Sequence, residues 1–201
     1  GRRARDPDEL TDVLRGLGPL TRDEADARSD GPAGEWLDEL VAGTRVIKGS
    51  VAGEERYAAA EDASRVRDAL GLALPPGLPQ AFTDPVERPL VDLVARYAHT
   101  HGPFLTQHVA RRLGVRAEPV QLALEALEGE GRVVRGEFRP DGVEREWCDE
   151  DVLRTLRRRS LAVLRKEVEP VDGLALARFL PAWQGVGVPR RGPEGLVEVL
   201  N

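Results

Sequence analysis

Gly102-Pro103-Phe104-Leu105-Thr106, Arg132-Val133-Val134-Arg135-Gly136 and Arg145-Glu146-Trp147 decide the reading of this chain, because each has an earlier counterpart. Gly18-Pro19-Leu20-Thr21, Arg45-Val46-Ile47-Lys48-Gly49 and Glu55-Arg56-Tyr57 precede them in the same order. Between the first two landmarks, Trp36-Leu37-Asp38-Glu39-Leu40 answers to Leu124-Glu125-Ala126-Leu127. The separation is 84 residues at the Gly-Pro pair, 87 at Arg45 and Arg132, and 90 at Tyr57 and Trp147, growing as loop insertions would make it grow. An internal repeat sets architecture ahead of any single motif.

In the first copy, Asp6-Pro7 has the form of a cap with proline just inside a helix, and Leu10, Val13, Leu14 and Leu17 recur at helical spacing until Gly18-Pro19. Thr21 with Glu24 three residues on is a capping-box pattern for a short second helix ending near Ala27. Trp36, Leu37, Leu40 and Val41 mark a third helix closed by Gly43, and strands at 44–50 and 54–59 turn at Ala52-Gly53. Three helices and a hairpin, in that order, form a winged helix. The second copy repeats it. Leu90 to Tyr97 make helix one, Thr106 caps helix two, and helix three starts near Glu118-Pro119 and carries Val120, Leu122, Leu124 and Leu127. A hairpin at 132–138 and 143–147 turns around Pro140-Asp141-Gly142, and a further helix spans 149–168.

The expected fold is therefore mostly α with small β-hairpins, an α+β arrangement of tandem winged-helix modules plus a truncated third helical module. The expected organisation is winged helix 1 at 1–70, a stiff Pro-rich connector at 71–89 (Pro75, Pro76, Pro79, Pro85, Pro89), winged helix 2 at 90–159, and a basic helix with the start of a third module at 160–201. That third piece contains Phe179-Leu180-Pro181-Ala182-Trp183-Gln184-Gly185 and ends with Leu196, Val197, Val199 and Leu200 still at helical spacing.

Composition bounds the rest. Apolar residues are 41% of the chain but aromatics only 4%, so the cores are built mainly from Leu, Val and Ala. The single cysteine, Cys148, excludes a disulfide within the chain and a multi-thiolate zinc site, and it reads as a small, half-buried residue. Methionine is absent, which points to a piece excised from a longer protein. With no long apolar run and no signal-peptide pattern, the expectation is a soluble, cytoplasmic protein without a membrane partner. The net charge of −6 argues against a free-standing DNA-binding domain, since phosphate affinity comes from cationic surface.

Several motifs resolve into ordinary chemistry. Asp23-Glu24-Ala25-Asp26 spells the DEAD signature of helicase motors, but it lies in a polar helix and no GxxxxGK[ST] phosphate loop accompanies it. His99, His101 and His108 are the only histidines, with Gly102-Pro103 between the first two and the third, and they read as polar residues around a helix corner rather than a zinc site. Ser160 has only arginines near it, which cannot accept a proton. No catalysis is expected of this segment, and no cofactor or metal site within it.

A DNA-reading third helix needs donors for the major groove. The third helices here offer Glu35, Asp38 and Glu39 in one copy and Glu118, Glu125, Glu128 and Glu130 in the other, which makes them packing or partner surfaces. Cationic charge collects instead at Arg154, Arg157, Arg158, Arg159, Arg165 and Lys166, with no acid between Arg154 and Lys166. Arg154, Arg158 and Arg165 share one helical stripe and Leu153, Leu156 and Val163 another, so one face can pack while the other follows a phosphate backbone or pairs with the acidic helices. Trp183 has two readings, an anchor for the third core or a platform for an unpaired base.

The run from Glu146-Trp147-Cys148-Asp149 through Leu153-Arg154-Thr155-Leu156-Arg157-Arg158-Arg159-Ser160-Leu161 to Arg178-Phe179-Leu180-Pro181-Ala182-Trp183-Gln184 resembles the accessory region beyond the motor in bacterial large helicase-related (Lhr) proteins. The similarity is densest over 90–185, and residues 1–70 resemble a preceding winged helix of that region. The resemblance implies a non-catalytic accessory segment of an ATP-dependent 3′-5′ DNA helicase acting in DNA repair, helping to form the channel for a single strand. ATP and Mg would belong to the parent motor alone. Its partners would be single-stranded DNA or an RNA:DNA hybrid, reached through the parent protein and its RecA-like domains. The nucleic-acid-binding residues implied are Arg154, Arg157, Arg158, Arg165, Lys166 and Trp183, the last as a stacking residue. The alternative is a protein-interaction scaffold whose acidic winged-helix faces dock the motor domains or a repair partner. A stand-alone transcription regulator is disfavoured by the acidic third helices.

Overall fold

The computed structural model describes residues 3–139, 144–167 and 173–183, and the chain divides into two compact units, Gly1–Leu156 and Arg157–Asn201. In the first unit the opening copy of the repeat runs α1 (Pro7–Leu17), α2 (Arg22–Asp26), α3 (Ala33–Ala42), β1 (Val46–Val51) and β2 (Glu54–Ala59), then a 3-10 turn at Ala60–Asp62 leading into α4 (Ala63–Leu70). Local chemistry sets these boundaries. The Asp6 side chain accepts from the Glu9 amide at 2.8 Å and starts α1. At α2 the Glu24 amide donates to the Thr21 hydroxyl (3.2 Å) and the Thr21 amide to the Glu24 carboxylate (2.9 Å), the expected capping box. Ala52 and Gly53 take positive φ (58° and 79°), which suits a two-residue turn and pairs Val51 with Glu54.

The second copy runs α6 (Pro89–Thr100), α7 (Thr106–Leu113), α8 (Ala117–Gly129), β3 (Val133–Gly136) and β4 (Glu146–Asp149), with a one-turn helix α5 (Gln80–Thr83) before it. It is followed by α9 (Glu150–Glu167) and, in the second unit, α10 (Gly173–Trp183). The fold is the expected α+β winged-helix arrangement. The hairpin turn proposed at 140–142, the end of the long helix at 168 and the third-module residues 184–201 lie outside the described residues.

The repeat holds at the level of single hydrogen bonds. Leu20 and Tyr57 exchange two backbone bonds (3.0 and 2.7 Å), and Phe104 and Trp147 exchange the same two (2.9 and 2.8 Å). The Arg45 amide donates to the Leu40 carbonyl as Arg132 donates to Leu127, both at 2.9 Å. The Ala60 amide then reaches the Arg45 carbonyl (2.9 Å) as Glu150 reaches Arg132 (3.1 Å). By this register the start of α9 occupies in the second copy the place that the Ala60–Asp62 turn and α4 occupy in the first.

Two corrections follow from the same register. Thr106 does not cap α7; the residue aligned with Thr21 is Leu105, and Glu24 is replaced by His108, whose Nδ1 lies 3.4 Å from the Leu105 amide. The Thr106 hydroxyl instead accepts from Trp147 Nε1 (3.1 Å) and donates to Gln121 (2.9 Å). Cys148 is fully buried rather than half-buried, because β4 is covered along its length.

Leu10, Leu14, Leu37, Leu40, Val46 and Tyr57 form one core, and Leu93, Val94, Val109, Leu124, Val133 and Trp147 the second. The opposite face of the first hairpin is also covered. Ile47, Val51 and Ala58 pack with Ala63, Val66 and Leu72, against which Leu74, Leu78 and Phe82 close. The proline-rich stretch thus carries α5 and apolar side chains that cover a sheet.

The two copies are held together inside the first unit. Ala69 and Leu70 of α4 pack on the second core. Asp62, 5% exposed, accepts from both Arg65 and Arg96, the latter also through Nη2 at 2.9 Å, and Arg65 Nε reaches Asp92 at 3.0 Å. From α7, Arg112 donates to the Pro19 carbonyl (2.8 Å) and to Glu24 (2.9 Å). Gly114 sits so close to the first hairpin turn that a Cβ there would lie 2.8–2.9 Å from Ala52.

Candidate nucleic-acid interface

α9 starts where the Asp149 carboxylate accepts from the amides of Asp151 (2.9 Å) and Val152 (3.1 Å). Arg154 is exposed but already engaged, donating to Asp151 (2.6 Å) and Glu150 (3.2 Å). The acid-free count from Arg154 onward misses these carboxylates because they precede it by one helical turn. In the second unit, Arg157, Arg158, Arg159 and Arg165 are exposed along α9, while the Lys166 side chain lies outside the described residues. The apolar stripe is only partly covered: Leu153 is half-buried, while Leu156 is 36% and Val163 56% accessible, and Leu161 and Leu164 beside it are exposed.

Trp183 in α10 is 72% exposed, so among the described residues it is not a core side chain. Its ring stacks at 6.1 Å from that of Phe179, with 17° between the planes. Leu174, Leu176 and Leu180 of the same helix are exposed too.

The third helices are acidic on their outer faces. On α3, Glu35, Asp38 and Glu39 are exposed, and a hydrogen bond from Arg22 (2.6 Å) holds the Asp38 carboxyl below the usual carboxylate range. On α8, Glu118, Glu125 and Glu128 are exposed around Leu122, itself 66% accessible. Arg88 pairs with Glu130 just beyond and lowers its pKa. These faces repel a phosphate backbone. The turn of the first hairpin is committed to Gly114, so the wing of that module is not open to a duplex groove.

Basic residues that the sequence did not single out converge elsewhere. Between α1–α2 of the first copy and α6–α7 of the second lies a cleft of about 450 Å³. Among the described residues Arg28, Arg111, Arg112, His101 and His108 line it with one acid, Glu24, over an apolar floor that includes Leu17 and Leu93. The adjacent Arg111-Arg112 near the end of a short amphipathic helix was the available signal, but the sequence does not show that Arg28, 83 residues earlier, faces them.

The remaining motifs are structural. Within the DEAD run, Glu24 serves the capping box and pairs with Arg112 and Arg56, and Ala25 is fully buried. The histidines have separate neighbours: Asp149 for His99 (3.4 Å), the Tyr97 ring for His101 and the Leu105 amide for His108. Among the described residues no group of three His, Cys, Asp or Glu is placed to hold a metal, and no helix is long and apolar enough to cross a membrane.

Residues 1–85 match the family model described as "Large helicase-related protein, winged-helix domain". The chain is a winged-helix segment of the Lhr family. Across its full length it is 45% identical to the Lhr helicase/probable uracil glycosylase of Mycolicibacterium smegmatis, and over 92% of its length 35% identical to the Lhr helicase/uracil glycosylase of Escherichia coli K12. The Lhr segment spans only 13% and 12% of these two relatives. A solved structure, that of RV1404 from Mycobacterium tuberculosis, aligns over 82% of this chain and 99% of its own at 17% identity with a TM-score of 0.31, too slight a likeness to bear on the Lhr fold.

Proposed function

We propose that this segment is a non-catalytic accessory part of an Lhr-type ATP-dependent helicase and helps to form the channel for a single nucleic-acid strand in DNA repair. The observation that carries the reading is the 45% identity to an Lhr helicase along the whole chain. The exposed guanidiniums of α9 supply the chemistry, since cations along one helix track a phosphate backbone without reading sequence. Trp183, exposed in the same unit, offers a flat face for an unpaired base. ATP and Mg would act in the parent's motor, in the cytoplasm, and this segment would need neither.

Charge reversal at Arg157 and Arg158 in the parent helicase tests the reading. The expected result is weaker single-strand binding with a shallower salt dependence, and unchanged affinity at low salt would overturn it.

A second reading rests on α8, where exposed Leu122 sits among Glu118, Glu125 and Glu128. An apolar residue ringed by like charge suits a docking face for a basic protein surface, of the parent or of a repair partner. Under that reading Glu125→Arg with Glu128→Arg disturbs assembly of the parent while DNA affinity is kept.

A further inference from the structure

The third helices that a winged helix uses on DNA are acidic here, yet the first unit carries a concentrated cationic site on another face. We propose that the cleft between the two winged-helix copies binds one nucleotide unit of a single strand, with Arg28, Arg111 and Arg112 on the phosphate and the Tyr97–His101 pair against the base. The inference rests on the reading that this segment handles nucleic acid, but it places a contact away from α9.

The electrostatics favour an anion. Glu24, among the described residues the one carboxylate lining the cleft, is already shared by the Thr21 amide (2.9 Å), Arg112 (2.9 Å) and Arg56 (3.5 Å). Arg28 and Arg111 bond only carbonyl oxygens, those of Glu24 (2.8 Å) and Gln107 (3.4 Å), and among the described residues neither is paired with an acid. Arg112 adds an Nη1 that is buried and, among the described residues, has no hydrogen-bond partner, a donor that costs free energy until an acceptor reaches it. Three guanidiniums thus border the cavity with about one negative charge among them, itself partly spent on Arg56.

The shape favours a nucleotide over a bare anion. A volume of about 450 Å³ lies in the range of small-molecule pockets. Tyr97 and His101 stack at 3.8 Å with 7° between their rings, and Phe104 meets Tyr97 edge-on at 5.1 Å. The pair is thus held by a third ring, and a flat aromatic surface beside phosphate donors is the arrangement that single-strand binders use. Arg112 and the Gly114 contact fix α7 against the first copy, so the site is formed before the ligand arrives.

Fluorescence anisotropy of a labelled ten-nucleotide dT oligomer against the 201-residue chain at low salt tests the proposal. Arg111 is the clean position, exposed and, among the described residues, bonded only to Gln107, whereas Arg112 also holds the two copies together. Arg111→Glu is expected to weaken binding at least five-fold and to reduce the magnitude of the log–log salt slope by about one, with an unchanged thermal midpoint. The nucleotide dTMP should displace the oligomer at lower concentration than inorganic phosphate does. Equal competition by the two would overturn the base contact. Binding that survives Arg111→Glu and Arg28→Glu but falls with Arg157→Glu and Arg158→Glu would overturn the cleft and leave the α9 reading intact. No binding by the wild-type chain at low salt would overturn both.

Discussion

Phe104 and Trp147 exchange a pair of backbone hydrogen bonds at 2.9 and 2.8 Å, and so do Leu20 and Tyr57, their counterparts in the first copy. The bridge ties the turn before helix two to the returning strand of the hairpin, so each module closes on its own wing. In both copies the aromatic partner is only 1% exposed, which places the largest side chain of each core at the junction of helix two, the hairpin and helix one.

Trp147→Ala should therefore destabilise the second module by about 3–5 kcal/mol, the range for emptying a packed aromatic site. Trp147→Phe keeps most of the volume and loses the Nε1 bond to Thr106, for a cost of about 1–2 kcal/mol. Urea unfolding followed by circular dichroism separates the two, and equal costs would show that packing does not set the stability here.

The two copies are joined by Asp62 as well as by apolar contact. Asp62→Ala leaves Arg65 and Arg96 facing a buried site without its carboxylate, and the expected loss is about 2–4 kcal/mol, reduced from a fully buried pair because both arginines keep some solvent. The same substitution should split a single unfolding transition into two in calorimetry. One transition with an unchanged midpoint would mean that the modules are coupled by α4 and α6 packing alone.

Acid should act through paired carboxylates. Hydrogen bonds from arginine lower the pKa of Glu61 (from Arg15), Asp38 (from Arg22) and Glu130 (from Arg88). The unfolded chain binds protons at these groups first, near their ordinary values of about 4, so their stabilisation is full above that range and is lost as pH falls through the lower folded values. Stability should thus be flat from pH 7 to about 5 and fall below 4, less steeply at high salt because the pairs are exposed. Glu61→Gln should remove well under ~1 kcal/mol at pH 7 and less at pH 2, measured by urea midpoints at the two values.

How much of this was legible depends on whether a signal was local. The helices, the capping box at Thr21 and the turn at Ala52-Gly53 are written in short-range chemistry, and the repeat gave the module order. Thr106 has the residue type of a cap, but its hydroxyl serves Trp147, 41 residues away, and the cap position falls to an apolar residue. The exposed arginines of α9 are visible as a run, but the run begins one turn after the acids that pair with Arg154. The cleft was invisible for a physical reason: Arg28 and Arg111 become neighbours only when α2 and α7 pack, and no spacing rule reports that.

Gly114 tests the packing that makes this cleft. Its φ is +66°, and an added Cβ would meet the backbone of Ala52 at 2.8 Å, so Gly114→Ala carries both left-handed backbone strain and a clash between modules. Gly71 is the internal control: it also follows a helix, has φ +72°, and an added Cβ there meets nothing within 4 Å. Gly71→Ala should cost about 1–2 kcal/mol from the backbone alone, and Gly114→Ala a further ~1–3 kcal/mol from overpacking. The difference between the two variants measures how firmly α7 is pressed on the first hairpin. If they lose equal stability in urea, that contact is slack, and the guanidiniums of α7 are not fixed in place before a ligand arrives.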